Sequence, residues 1–150
     1  MPEKIAIGSD HRGFKLKQVL QETLRQQGAA VEDVGAHSEA SADYPEFARA
    51  VARKIVSREC GRGILICGSG IGMTITANKF PGVRAALCHN EQSAVMSRMH
   101  NDANVLVLSE TVDPETARRM LAVWLATPFE GGRHSRRLEL IRDIERENFK

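Results

Sequence analysis

One cysteine and three alternating glycines stand together as Cys67-Gly68-Ser69-Gly70-Ile71-Gly72, directly after the apolar run Gly63–Cys67. A thiolate is a competent base only where its charge is stabilised. Glycines at every second position let the backbone turn sharply and present several N–H groups near a helix start, where anions are favoured. A thiol held there could lift a proton from a carbon beside a carbonyl, while the N–H groups hold the developing enediolate oxygen. Ser69 could hydrogen-bond that oxygen or the sulfur. Two plainer readings stay open at this stage: Cys67 as a small buried hydrophobe ending a core strand, and the glycines as the makings of a tight turn. The spacing is not the G-x-G-x-x-G of dinucleotide sites, and it lacks the Lys-Ser/Thr end of a P-loop. Cys60 and Cys88 have no comparable setting and read as structural.

Three further groups carry acid, base or charge. Asp10-His11 is either an acid–base pair at a loop or a helix cap with an incidental neighbour. His100-Asn101-Asp102 reads as a proton shuttle or as helix-terminal polar residues, since a protonated histidine suits a helix C-terminus. Arg133 and Arg137 stand four apart, hence on one helical face, where their planar forks could grip a phosphate together. The alternative for them is a solvated basic face paired with Glu139, Asp143 and Glu145.

The elements that must position these groups follow from periodicity. Lys4–Ser9, a short run around Ala30–Val34, Gly63–Cys67, Arg84–Cys88 and Val105–Leu108 read as strands, the third as a central one because it is apolar throughout. Between and after them, Phe14–Gln27, Pro45 to Ser57, the glycine loop to about Lys79, Glu91–His100, Pro114–Ala126 and Arg133–Asn148 read as helices, with Gly28 a stop and Pro45 suited to a first helical position. Strand–helix alternation predicts a parallel sheet with helices on both faces. Right-handed crossovers then put every strand's C-terminal end on one edge, and ligands bind at that edge beside the switch in strand order. Asp10 and Cys67 fall there. The His100 group precedes its strand, so helix direction assigns it to the opposite edge. A site containing it needs a neighbouring subunit's copy, which predicts a dimer.

The chain of 150 residues suits a single domain over 1–150 with one full core, and no linker or repeat divides it. Apolar residues make up 42% and charged residues 27%, which excludes a disordered or fibrous chain. A net charge of +2 is too balanced for a nucleic-acid binder. No apolar run approaches the ~20 residues of a membrane span, and the first residues lack a secretory apolar core. The three cysteines show no metal-ligand spacing and cannot all pair, which predicts reduced thiols and a cytoplasmic location.

Together the motifs point to one family. Gly8-Ser9-Asp10-His11-Arg12-Gly13-Phe14, Asp43-Tyr44-Pro45, the run Gly63 to Gly72, Ala77-Asn78-Lys79, Arg84-Ala85, Ser97-Arg98-x-His100-Asn101-Asp102-x-Asn104 and Phe129-Glu130-Gly131-Gly132-Arg133-His134 occur in that order. They closely resemble ribose-5-phosphate isomerase type B, of the family that also holds the galactose-6-phosphate isomerase subunits, nearly end to end. The resemblance implies a Rossmann-like three-layer αβα sandwich with a five-stranded parallel sheet, a homodimer or tetramer with sites shared between subunits, and a C-terminal helix at about 133–148 that contributes to the dimer. It implies interconversion of ribose 5-phosphate and ribulose 5-phosphate with no metal and no cofactor. Carried over by position, Cys67 is the base, Ser69 assists it, and Gly68, Gly70, Ile71 and Gly72 hold the enediolate. His100 with Asp10 handles ring opening, Asn101 binds the intermediate, and Tyr44 lines the pocket. His11, Arg133 and Arg137 hold the phosphate. Two positions depart from common members: Thr111 stands where many have an arginine near the phosphate, and Met73 where a subgroup places a glutamate base. A hexose 6-phosphate such as allose or galactose 6-phosphate is the alternative substrate, and a non-catalytic phosphosugar-binding module the alternative function.

Overall fold

A computed structural model describes residues 3–149. In chain order its elements are β1 (Lys4–Ser9), α1 (Phe14–Gln26), β2 (Ala30–Gly35), α2 (Tyr44–Val56), β3 (Arg62–Cys67), α3 (Ile71–Ala77), β4 (Ala85–Leu87), α4 (Glu91–Met99), β5 (Val105–Ser109), α5 (Pro114–Ala126) and α6 (Arg133–Asn148). All four strand pairings are parallel, in the order β2-β1-β3-β5-β4. The chain steps outward from β1 to β2, then returns to build β3, β5 and β4 on the other side. The reversal lies between β1 and β3, so the loops after these two strands border the crevice where such sheets take ligands.

Period-two alternation sorts the sheet into two faces. Ile7, Ile64, Ile66 and Leu106 pack with Leu20, Met120 and Trp124 on the side of α1 and α5. Ala6, Leu65, Cys67 and Val107 pack with Val51, Ile55, Met73 and Ala77 on the side of α2 and α3. Helices thus cover both faces, the three-layer α/β sandwich expected from sequence. Boundaries differ by a residue or two. β4 is shorter than expected, three residues at the sheet's edge, although the Cys88 N–H still donates to the Val107 carbonyl at 3.1 Å. α2 begins at Tyr44 rather than Pro45, behind an extended Asp43.

The alternation of α1 hides one exception. Lys17 is buried at 1% exposure, and its Nζ donates to Asp33 Oδ1 and to the Ala36 carbonyl, both at 2.6 Å. Burial pushes the Asp33 carboxyl up, but the bonds from Lys17 and from the Gly35 N–H outweigh it and hold the group below its usual range. The contact ties α1 to the end of β2 and thereby to the loop that carries Ala42 toward the site. Because the Asp33 pKa is lowered on folding, the tie stabilises at neutral pH and fades as pH falls through that carboxyl's folded value. Lys17→Met would leave the carboxyl and carbonyl without their partner. Urea unfolding at pH 7 is expected to show a loss of about 3 kcal/mol; a loss under ~1 kcal/mol would mean the pair does not hold this corner.

Candidate active site

β3 ends at Cys67, 5% exposed, in register with Ser109 of β5. Its sulfur accepts a hydrogen bond from the Gly70 N–H at 3.2 Å. That bond requires the loop to double back, and Gly70 does so at φ +82°, a left-handed conformation that side chains disfavour. Space allows no substitute either: a Cβ on Gly70 would stand 2.5 Å from Leu87 Cδ1. The Ser69 hydroxyl accepts from the Ile71 N–H at 3.2 Å, leaving its proton free to point outward. Gly72 lies under the ring of Tyr44, so close that a Cβ would overlap the ring carbons.

Asp10, at the tip of β1, caps the next turn, its Oδ1 accepting from the N–H groups of Arg12 (3.0 Å) and Gly13 (3.1 Å). The helix-cap reading of Asp10 is the observed one, and the carboxyl also borders the same opening as Cys67, Tyr44, Ser69 and Gly72, about 420 Å³ in volume. His11 sits beside it. Its Nδ1 lies 3.1 Å from the Ala42 backbone nitrogen and 3.3 Å from the Ala42 carbonyl oxygen, which anchors the ring to that segment. Met73 is fully buried in the core, so no side-chain acid occupies that position of the loop. Thr111 shares a 2.7 Å hydrogen bond with Ser109 and brings no charge.

The remaining candidates lie elsewhere. His100 ends α4, and Asp102 just beyond it takes bonds from Arg98 and Arg84 beneath the N-terminal ends of β4 and β5. The five steps of β3 separate this edge from Cys67 by roughly 16 Å. Arg133 and Arg137 start α6 on the same side, since neighbouring His134 stacks on His100 with ring centroids 4.3 Å apart. Among the described residues neither arginine has an ion pair; Glu139 and Asp143 instead pair with Arg142 and Arg146. Within one chain, then, Asp10, His11, Tyr44 and the Cys67–Gly72 loop come together, while His100, Asn101, Arg133 and Arg137 do not join them.

Sequence reasoning passed over two things here. Arg12 borders the Cys67 opening and bonds Glu110 at 3.0 Å; its place inside the first motif was the available signal. His134 is buried against His100 with an unpartnered Nε2. With Glu130 these rings form a group whose donor atoms lie within 4.8 Å of one another. The rings are stacked at 16°, so their in-plane lone pairs run nearly parallel and do not converge on an ion. The arrangement is an aromatic stack, not a chelate.

The chain belongs to the Ribose/Galactose Isomerase family, whose model matches residues 5–141. The resemblance read from the motifs thus extends across the sheet and into α6. Ribose-5-phosphate isomerase B of Escherichia coli is 46% identical over 144 residues, 95% of this chain and 97% of that protein. Among solved structures, ribose-5-phosphate isomerase B of Clostridium thermocellum is 48% identical with a TM-score of 0.95, covering 96% of this chain and 98% of that one. The Mycoplasma genitalium enzyme, solved with bound ribulose-5-phosphate, is 40% identical with a TM-score of 0.92, covering 97% of each chain.

Burial, with the charges of His100 and Arg133 adding to it, pushes His134 below its ordinary 6.5. The folded chain therefore resists a proton that the unfolded chain accepts. Stability is complete above pH 6.5 and declines as pH falls from there through the folded value. Urea midpoints of the wild type are expected to drop between pH 7 and pH 5 more steeply than those of His134→Asn. Parallel profiles would remove this residue from the acid response.

Proposed function

We propose that the chain is a metal-independent aldose–ketose isomerase that interconverts ribose 5-phosphate and ribulose 5-phosphate, acting as a homodimer with two composite sites. The observation that carries this reading is the Cys67 sulfur, held against the Gly70 N–H at the mouth of an opening lined by Gly68, Ser69, Ile71 and Gly72 of the same loop. The thiolate takes the proton from C2 of the open-chain aldose. The C2–H electron pair becomes the C1–C2 double bond, and the carbonyl pair moves onto O1. The O2 hydroxyl proton then passes to O1, the pair it leaves on O2 forms the new C2 carbonyl, and the C1–C2 double-bond pair takes the proton back from the thiol onto C1. Two charged oxygens pass through this step, and each well-placed N–H donor is worth about 3–4 kcal/mol against them. The loop from Gly68 to Gly72 supplies donors where a metal would otherwise be needed, and Ser69 keeps a proton available beside them.

His100, with Asp10, opens the sugar ring; Asn101 binds the intermediate, Tyr44 covers it, and His11, Arg133 and Arg137 hold the phosphate. Since His100, Asn101 and the two arginines lie on the far edge of the sheet, they reach Cys67 only from a second copy. Exposed apolar side chains fit that pairing: Tyr44, Ile71 and Ile75 rim the opening, and Leu140, Ile141 and Ile144 run along α6, which reads as part of the interface. One domain spans 1–150. Three free, buried cysteines and the absence of any helix long and apolar enough to cross a membrane among the described residues support work in a reducing compartment, the cytoplasm. Thr111 puts a small, uncharged side chain in the loop after β5 beside Glu110, which gives a hexose 6-phosphate a specific argument as second substrate; kinetics on five- and six-carbon substrates side by side decide between them.

Cys67→Ala is expected to abolish isomerisation of ribose 5-phosphate while circular dichroism and thermal midpoint stay near wild type. Residual activity at the wild-type level would end this reading, and intact sugar-phosphate binding without wild-type turnover would leave only a binding module. A second test addresses the shared site. Equal amounts of inactive Cys67→Ala and His100→Ala dimers, dissociated and reassociated together, should recover about a quarter of wild-type activity, because each hybrid dimer holds one undamaged site. No recovery, with hybrids confirmed by native mass spectrometry, would place the whole site within one chain.

A further inference from the structure

We propose that Arg12 is a phosphate-gripping residue contributed by the same subunit as Cys67, and that Glu110 holds its guanidinium in place while the site is empty. The inference rests on reading the Cys67 opening as a phosphosugar site, and it adds a ligand group to which the sequence motifs assigned no role. Arg12 stands between two recesses, bordering both the Cys67 opening and the neighbouring one that contains His11. A substrate reaching from the sulfur to His11 must pass it.

The side chain is placed rather than free. Its backbone N–H is fixed by Asp10 at 3.0 Å. Its guanidinium packs against Gly68: a Cβ there would stand 3.1 Å from Nη1, 3.2 Å from Cζ and 3.3 Å from Nε. A glycine at 68 thus leaves the space that the guanidinium fills, at the first residue of the anion-holding loop. At the far end Nη2 donates to Glu110 Oε1 at 3.0 Å, joining the loop after β1 to the loop after β5.

This ion pair is solvent-exposed, with side-chain exposures of 60% and 30%, so it contributes little and is readily exchanged. A phosphate dianion offers two parallel oxygens and twice the charge, a better match to the planar fork than the single carboxylate oxygen now bound. The charge balance of the edge points the same way. Asp10, Glu39 and Glu110 are acidic, and Lys15 points into solvent at 84% exposure with Glu39 as its nearest anion, 3.6 Å away. Lys15 offsets Glu39, and Arg12 is the cation that offsets Glu110 and lies against the loop at Gly68.

Calorimetric titration of the Cys67→Ala protein with ribose 5-phosphate, and separately with inorganic phosphate, tests the assignment without turnover. Adding Arg12→Met is expected to weaken both ligands about tenfold, to flatten the salt dependence of binding, and to leave the thermal midpoint within about 2 °C. Adding Arg12→Lys instead should restore part of the affinity. Adding Glu110→Gln, which releases the guanidinium, should bind phosphate at least as tightly as the parent. Unchanged affinities in Arg12→Met overturn the proposal, as does an equal weakening in Glu110→Gln, which would make the pair a structural strap. A parent that binds neither ligand overturns it too. An Arg12-dependent phosphate affinity in a chain whose wild type fails to isomerise would instead overturn the isomerase reading alone.

Discussion

The hydrogen bond from the Gly70 amide to the Cys67 sulfur is the contact on which the rest of this molecule turns. For it to form, the chain must leave a buried strand, reverse within three residues and start a helix. That demands a left-handed residue with no side chain at position 70 and a strand held rigidly on both sides. The central place of β3, with β1 and β5 paired to it and helices on both faces, supplies the rigidity. The amide is thus preorganised: nothing need reorient when charge develops next to it, which is the condition under which a neutral dipole stabilises an anion efficiently.

The scaffold was legible in the sequence because its signals are local and repetitive. The short apolar runs of β1, β3 and β5 and the helix starts at Pro114 and Arg133 each carry their own message, and the strands and helices of the described residues were expected close to where they lie. The loop after β3 was legible as a sharp glycine turn from strand into helix, which is how it lies. What escaped notice depends on contacts between distant residues. Lys17 carries a charge in the middle of a helix, and composition gives no hint that a carboxylate and a carbonyl 16 and 19 positions away will bury it. Arg12 and Glu110 lie 98 residues apart. His134 was visible only as part of a motif, because its burial comes from packing on His100 from a separate helix. The family resemblance supplied roles for the residues on the far edge that periodicity alone left as polar helix ends.

Splitting the chemistry between two edges of one sheet is a direct result of the parallel topology. Strand tips after β1, β3 and β5 crowd together, and this is where amides and thiol are found. Helices run back antiparallel to the strands, so groups at their C-terminal ends, such as His100, emerge on the other side. A fold of this kind offers two unlike sets of functional groups that it cannot itself unite. The proposed homodimer would unite them without any change to the scaffold, each subunit donating from one edge and receiving at the other, and the exposed isoleucines of α3 and α6 are apolar surface suited to it.

Burial also divides the three thiols by chemical fate. Desolvation raises the pKa of Cys60 and of Cys88, which keeps both protonated and unreactive. Cys60 borders a recess near Gly61 and Arg58, but only Cys67, among the described residues, borders an opening and also accepts a hydrogen bond from a backbone amide on its sulfur. With Cys67 as the proposed base, an oxidant such as peroxide that converted its thiolate to a sulfenic acid at the strand tip would stop turnover while leaving the core intact, and a reductant able to reach that same mouth would restore it.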